Sequence, residues 1–262
     1  MKAVFFGCTV FSEIILKELL KLKKVSISAV FSIPAEFSIS YSKEKVRNTN
    51  FADLSSYARD LNIPFYWVDS EKGKRITDYG SILKEINPDV ILVMGWYFMV
   101  PKKIREFAIY GAWGIHASLL PNYAGGAPLV WAMIEGEKRT GVTLFQLSDG
   151  VDDGDIIAQA EFPIEHHDTI KEVYEKATNT SIELLNDVFG KDINQIEVRA
   201  QDKSKIKVYP QRSPSDGEID WNWPTEKIRN FIRAQTKPYP GAWTIINGKK
   251  VILWDATIIK NA

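Results

Sequence analysis

The 262-residue chain has a single cysteine, Cys8. One thiol cannot form an internal disulfide, and a reducing cytoplasm is the simplest setting for such a chain. Charge of one sign is missing too. Lys and Arg together number 33, as do Asp and Glu, so the formal net charge is zero. The chain as a whole therefore lacks the basic character that nucleic-acid affinity usually requires. No apolar run approaches the roughly 18 residues that would argue for a membrane span. The start, Met1-Lys-Ala-Val-Phe-Phe-Gly7, is too short an apolar run for a signal peptide and has no small-residue cleavage pattern. There is no internal repeat and no low-complexity segment. Histidine is scarce, with three in all. His166 and His167 sit together in a polar stretch without a ligand partner at metal spacing, which reads as a solvated turn. His116 remains.

What is present is ordinary globular composition, 45% hydrophobic and 25% charged. The length suits one large domain, or a domain of about 200 residues with an appendage. Lys2 to Cys8 reads as a buried strand ending at Gly7, followed by a helix capped at Ser12 and a second strand over 25–33. A β-α-β opening implies a parallel sheet with helices on its faces. Gly7 is the only glycine in the first strand-to-helix turn, so the three-glycine dinucleotide fingerprint is absent. The polar stretch 40–50, with Lys43, Lys45 and Arg47, reads as a mobile loop. Helices are expected over 51–61, 76–86, 101–107 and 169–189, and strands over 64–68, 89–96, 140–147 and 155–164. From about Val208 the texture changes. A helix over 225–235 precedes a hairpin turning at Asn247-Gly248. This suggests a main α/β domain over 1–207 and a small C-terminal module over 208–262, packed on it through tryptophans.

The chain is organised around Gly111-Ala-Trp-Gly-Ile-His-Ala-Ser-Leu-Leu-Pro121. His116 is its one side chain that exchanges protons readily near neutral pH. It ends an apolar strand and precedes a Gly/Pro-rich loop, where α/β enzymes often place a catalytic group. The alternative is a buried histidine satisfied by a backbone carbonyl. Ser148-Asp-Gly-Val-Asp-Asp-Gly-Asp155 is a tight acidic loop after the next strand. It departs from a calcium-binding EF-hand because strand-like residues follow from Ile156 where an exiting helix would be needed. No metal is called for. A carboxylate from this loop at a neighbouring strand end would orient the imidazole and stabilise its charged form. Asp152 is the candidate, because Asp149 and Asp155 lie at the loop margins.

His116-Ala-Ser-Leu-Leu-Pro121, Gly126-Ala-Pro128, Gly141-Val-Thr143 and Asp149-Gly-Val-Asp152-Asp-Gly154 resemble the formyltransferase family that uses 10-formyltetrahydrofolate. The resemblance runs over nearly the whole chain. Pro210 to Trp221 and Pro238 to Trp243 look most like the amino-sugar branch. The resemblance implies a Rossmann-like formyltransferase domain followed by a small α+β module ending in a hairpin. It implies His116 and Asp152 as catalytic residues. It implies a folate pocket at Phe98, Met99 and Val100, near Gly126, and along Ser148, Asp149, Gly150, Val151 and Asp152. Ser118, Leu119, Leu120 and Pro121 would shape the wall beside the substrate amine. The family carries Asn two residues before the histidine, where its amide stabilises an oxyanion. Here that position is Gly114, which leaves space for a water or the substrate. The expected activity is formyl transfer to a nucleotide-linked amino sugar, with no nucleic-acid or membrane partner. Methionyl-tRNA formyltransferase, and a non-catalytic folate or nucleotide-sugar binding protein, are the alternatives. The oligomeric state is left open, a homodimer included.

Overall fold

The computed structural model describes residues 1–38, 45–69 and 74–259. Seven strands form the main sheet: β1 (Lys2–Phe6), β2 (Ser26–Ser32), β3 (Phe65–Trp67), β4 (Val90–Val93), β5 (Ala112–His116), β6 (Arg139–Gln146) and β7 (Ile156–Pro163). Their spatial order is β3-β2-β1-β4-β5-β6-β7. β1 to β5 run parallel. β6 alone runs against both of its neighbours. The sheet is therefore mostly parallel, and the near-continuous apolar runs Ala3–Phe6 and Val90–Leu92 are buried, as strands covered on both faces should be.

Helices α1 (Val10–Leu19), α2 (Ser55–Asp60), α3 (Gly80–Ile86), α4 (Lys102–Arg105), α5 (Pro128–Ile134), α6 (Ile170–Gly190) and α7 (Thr225–Gln235) surround it. One apolar cluster joins one face of the sheet to residues of α1, α5, α6 and α7. A second lies on the other face, with Leu83 of α3 and Ile104 of α4. Among the described residues no helix is long and apolar enough to cross a membrane.

The first turn is tighter than expected. Thr9, not Ser12, is the cap of α1, and Ser12 sits one turn inside. The Ser12 hydroxyl accepts from the backbone N–H of Cys8 and Thr9, each at 3.0 Å, and donates to the Met94 carbonyl at 2.5 Å. It thereby ties β1 to the exit of β4. A Cβ on Gly95, which has φ +67°, would stand 2.1 Å from Thr9 Oγ1. The crevice between β1 and β4 is thus filled by the protein's own groups. Ser12→Ala would take the hydroxyl from the Thr9 N–H and the Met94 carbonyl in a buried place, while the Cys8 N–H keeps the Gly95 carbonyl at 3.2 Å. It is expected to cost about 1–2 kcal/mol, read from urea unfolding of the variant against the wild type. Cys8 lies in the same turn, and burial pushes its thiol up to about 12. It has the character of a structural, unreactive cysteine.

Other elements shift at their ends. The helix expected over 51–61 is only Ser55–Asp60. The one over 76–86 opens as a tight 3-10 turn, Ile76–Tyr79. Pro101 lies outside α4 as its cap, and α4 stops at Arg105. Lys43 lies outside the described residues. Just beyond, Val46–Arg47 pairs with Glu36–Phe37, so that end of the expected loop is a short ladder.

The C-terminal hairpin, β8 (Ala242–Ile246) and β9 (Lys249–Leu253), turns at Asn247-Gly248, both at positive φ as such a turn demands. The tryptophans attach this region only in part: Trp223 packs edge-on against Phe231 at 4.9 Å beside the main apolar cluster. Trp221 and Trp254 are 55% and 41% exposed. Phe231, Ile232 and Ala234 of α7 enter the main apolar cluster instead. The C-terminal half of α7, Asn230–Gln235, is buried all round, and the helix packs against α5 and α6.

Candidate active site

Along β5, Ala112, Gly114 and His116 alternate with Trp113 and Ile115, so the first three share one face of the sheet. Trp113 is buried on the opposite face and stacks on Phe189 of α6 at 6.2 Å. Ala112 belongs to the cluster beneath α3 and α4. Beyond it the face is covered by the loop that follows β6. Because β6 is antiparallel to β5, with His116 beside Thr143 and Trp113 beside Gln146, that loop leaves at the far end of β5 from His116. The candidate pair therefore does not meet at adjacent strand ends, as the sequence suggested. The loop doubles back over the sheet to reach the histidine.

His116 is 9% exposed. Its Nδ1 lies 3.4 Å from Asp152 Oδ2, and its Nε2 lies 2.7 Å from the Tyr123 carbonyl oxygen. Both neighbours are acceptors. The neutral ring can donate to one of them, and the imidazolium to both. The carbonyl-satisfied histidine and the carboxylate-paired histidine are thus the same residue. Asp152 adopts φ +50°, a left-handed conformation that Asp tolerates better than most residues. Its Oδ2 also accepts the Gly125 N–H at 2.8 Å.

The loop is braced from two sides. Arg105, buried at the end of α4, donates to the Ser148 carbonyl and to the Asp149 carboxylate. Gln201, also buried, donates its side-chain amide to the carbonyls of Asp152 and Gly154 at 2.8 and 2.6 Å. The Ser148 hydroxyl donates to Asp153, and with Lys203 holds that carboxyl below the usual carboxylate range. Sequence reasoning missed Arg105, Gln201 and the Tyr123 carbonyl. Each acts across at least seven residues of chain, and nothing local marks it. Arg105 sits in a Lys-Lys-Ile-Arg run that reads as a solvated helix face.

The expected folate wall divides. Met99 and Val151 are 69% and 50% exposed, and Tyr97 beside them is partly open. Phe98 stands edge-on to Phe37 at 5.4 Å, and Val100 is buried in the core. Ser148 and Asp149 are engaged within the loop by Asp153 and Arg105. A Cβ on Gly150 would run into the Asp153 carboxylate, and one on Gly126 would run into the backbone of Gln211. Gly126 thus backs onto the chain and not onto a cavity.

The expected amine wall is largely internal. Ser118 is fully buried and donates to the Asn122 carbonyl at 2.6 Å. Leu119 packs closely on Gly141. The Leu120 N–H donates to Thr143 Oγ1 at 3.1 Å, and its carbonyl accepts from Gln159 at 2.8 Å. Pro121, half-buried, follows a cis peptide bond. Nor is the place beside Gly114 open. A Cβ built there would stand 3.0 Å from Leu147 Cδ2, so a leucine fills much of it. A cavity of about 440 Å³ opens at the amino ends of β1 and β4, lined by Met1, Lys24, Asp89 and Tyr110, away from His116. Among the described residues no cluster of three or more His, Cys, Asp or Glu is placed to hold a metal.

Residues 1–189 match the formyl transferase family, and residues 212–262 match the formyl transferase C-terminal domain. The chain belongs to the formyl transferase family. It is 30% identical to a methionyl-tRNA formyltransferase of Caldanaerobacter subterraneus, over 100% of this chain and 82% of that one. It is 33% identical to the bifunctional polymyxin resistance protein ArnA of Wigglesworthia glossinidia brevipalpis, over 98% of this chain but only 38% of that longer protein. The N-formyltransferase of Helicobacter canadensis, solved with folinic acid and dTDP-3-aminofucose, has the same fold, with a TM-score of 0.70 at 21% identity over 96% of this chain and 86% of that one. Membership in this family sets the chemistry to which the His116–Asp152 pair is compared.

Proposed function

We propose that the protein transfers the formyl group of 10-formyltetrahydrofolate to the amine of a nucleotide-linked amino sugar. The observation that carries this reading is the His116–Asp152 pair, 3.4 Å apart in a chain of the formyl transferase family. Asp152 faces Nδ1 and the Tyr123 carbonyl occupies Nε2 at 2.7 Å, so Nε2 exchanges a proton with the reaction once its contact with Tyr123 gives way to the substrate. His116 takes the proton shed by the attacking amine and returns it to the departing nitrogen of the folate. Asp152 holds the ring in one orientation and balances its charge while the proton is on it. Leu147 offers no hydrogen to an oxyanion, so that role falls to protonated His116 and to backbone N–H groups. A lost oxyanion donor typically costs on the order of 10²–10³ in rate, so a slow enzyme is expected. The exposed side chains of Met99 and Val151 suit the faces of a folate ring system.

The amino-sugar acceptor is favoured by the zero formal charge and by the stretches over 210–221 and 238–243. The Helicobacter canadensis enzyme of the same fold binds a dTDP-linked amino sugar. The second reading, methionyl-tRNA formyltransferase, is favoured by the 30% identity to an enzyme of that name. A turnover assay with 10-formyltetrahydrofolate and a panel of nucleotide-linked amino sugars, run beside methionyl-tRNA, separates them. Turnover with an amino sugar that changes little between 50 and 200 mM salt is the expected result. Turnover confined to methionyl-tRNA and falling steeply over that range, by about 10³ or more for 6–10 phosphate contacts, would sink it.

A further inference from the structure

The segment 199–209 runs along the edge of the site; Gln201 contacts the Asp152 backbone, and Val208–Tyr209 reaches Asp152 through Gly125. Arg199 exchanges both backbone hydrogen bonds with Ile156, at 2.8 and 2.7 Å, which sets this segment beside the start of β7. Two residues on, Gln201 turns its amide under the acidic loop. Val208–Tyr209 then pairs with Ala124–Gly125, and the Gly126 N–H donates to the Tyr209 carbonyl at 2.8 Å. Gly125 is the residue whose N–H holds the Asp152 carboxylate. A Cβ on Gly125 would stand 2.4 Å from the Tyr209 carbonyl oxygen, so the two backbones have no slack between them.

We infer that Gln201 is a positioning residue for the reaction: it fixes the left-handed backbone of Asp152 and, through it, the orientation of His116. The inference rests on the reading of His116 and Asp152 given above. Its physical basis is a matching of groups. The carbonyls of Asp152 and Gly154 converge on one point, and only a side chain with two hydrogens on one atom serves both. Gln201 supplies that NH₂ group, and its own Oε1 is buried without a hydrogen-bond partner. The amide is therefore oriented by its donors alone. A glutamate would present acceptors to acceptors, and an apolar residue would leave both carbonyls unserved. Freed of this tie, a residue at φ +50° relaxes toward ordinary backbone, and its carboxylate moves away from the ring.

The test uses Gln201→Met, which keeps the length and burial, and Gln201→Asn, which keeps the amide but draws it back by one methylene. Each is made in the wild type and in the Asp152→Asn background, and folding is checked by thermal melting. In the wild-type background kcat is expected to fall about 10–100-fold, as for a misplacement near 1 Å, with KM for the formyl donor little changed. In the Asp152→Asn background the same substitutions are expected to cost less than about twofold, since a residue that acts through Asp152 has nothing left to position. A substrate-free readout separates this claim from the proposed function. The ring-proton resonances of His116, one of three histidines, are expected to move in both Gln201 variants toward their positions in Asp152→Asn. Unmoved resonances, a kcat within twofold of wild type in either folded variant, or losses that add fully to that of Asp152→Asn would each overturn it. Absence of turnover in the wild type would instead sink the proposed function, and the resonances would still decide the role of Gln201.

Discussion

Replacing His116 with alanine is expected to lower kcat by about 10²–10⁴-fold, the usual contribution of a positioned general acid or base. The affinity for the formyl donor should be nearly unchanged, because the ring is 9% exposed and offers little surface to a ligand. The structure gives this prediction a sharper form than the motif does. The ring is pinned by Asp152 at one nitrogen and by the Tyr123 carbonyl at the other. Its removal also takes a contact from each of them, but Asp152 keeps the Gly125 N–H. The fold should therefore survive, with a loss of about 1–2 kcal/mol, and the rate loss can be read in a folded protein. Steady-state turnover, a binding titration with the unreactive 5-formyltetrahydrofolate, and a thermal melt together check it. A folded variant with near-normal kcat would remove His116 from the chemistry. A large loss of donor affinity would instead make it a binding residue.

The candidate residues His116 and Asp152 could be picked out in the sequence because their surroundings are local. An apolar strand, one histidine at its end and a Gly/Pro turn lie within a few residues of each other, and the acidic loop is equally compact. The parallel sheet was legible for the same reason, in Ala3–Phe6 and Val90–Leu92. The way the pair meets was not. Strand direction depends on long-range pairing, and nothing in 139–146 says that β6 runs against β5. The bracing groups were hidden as well. Arg105 reaches 43 residues to Ser148, and Gln201 reaches 49 to Asp152. Arginine in a basic run and glutamine in a polar stretch look alike whether they face solvent or a buried carbonyl. Gly114 shows the same limit from the other direction. A missing side chain suggests empty space in a sequence, but in the fold Leu147 takes much of that space. The tryptophans of the C-terminal module were a partial guide: Trp223 packs against the main cluster while Trp221 and Trp254 are exposed, and the buried end of α7, Asn230–Gln235, carries much of the attachment.

Gly154 is where the loop and the sheet have least room. A Cβ on it would stand 1.7 Å from the Gln146 carbonyl oxygen and 2.9 Å from its carbon. Those are backbone atoms at the end of β6, where the Gln146 N–H donates to the Asp155 carbonyl at 2.8 Å. No rotamer change relieves the overlap, so Gly154→Ala must part the two chains by more than an ångström. The loss of stability is expected near 3 kcal/mol, the upper part of the range for overpacking. The same displacement lifts the Gly154 carbonyl off Gln201 and carries Asp152, two residues earlier, with it. A further loss of about 10²-fold in kcat is expected in whatever folded protein remains. Gly150→Ala is the matched control. There a Cβ would meet the Asp153 carboxylate at 2.3 Å, which is the end of a side chain and can swing aside, so a smaller loss of stability follows. Urea unfolding of the two variants, with kcat measured on each, tests whether backbone contact at Gly154 sets the geometry of the loop. Equal stability of Gly154→Ala and wild type would show that the end of β6 yields easily, and that the loop is held by its side chains alone.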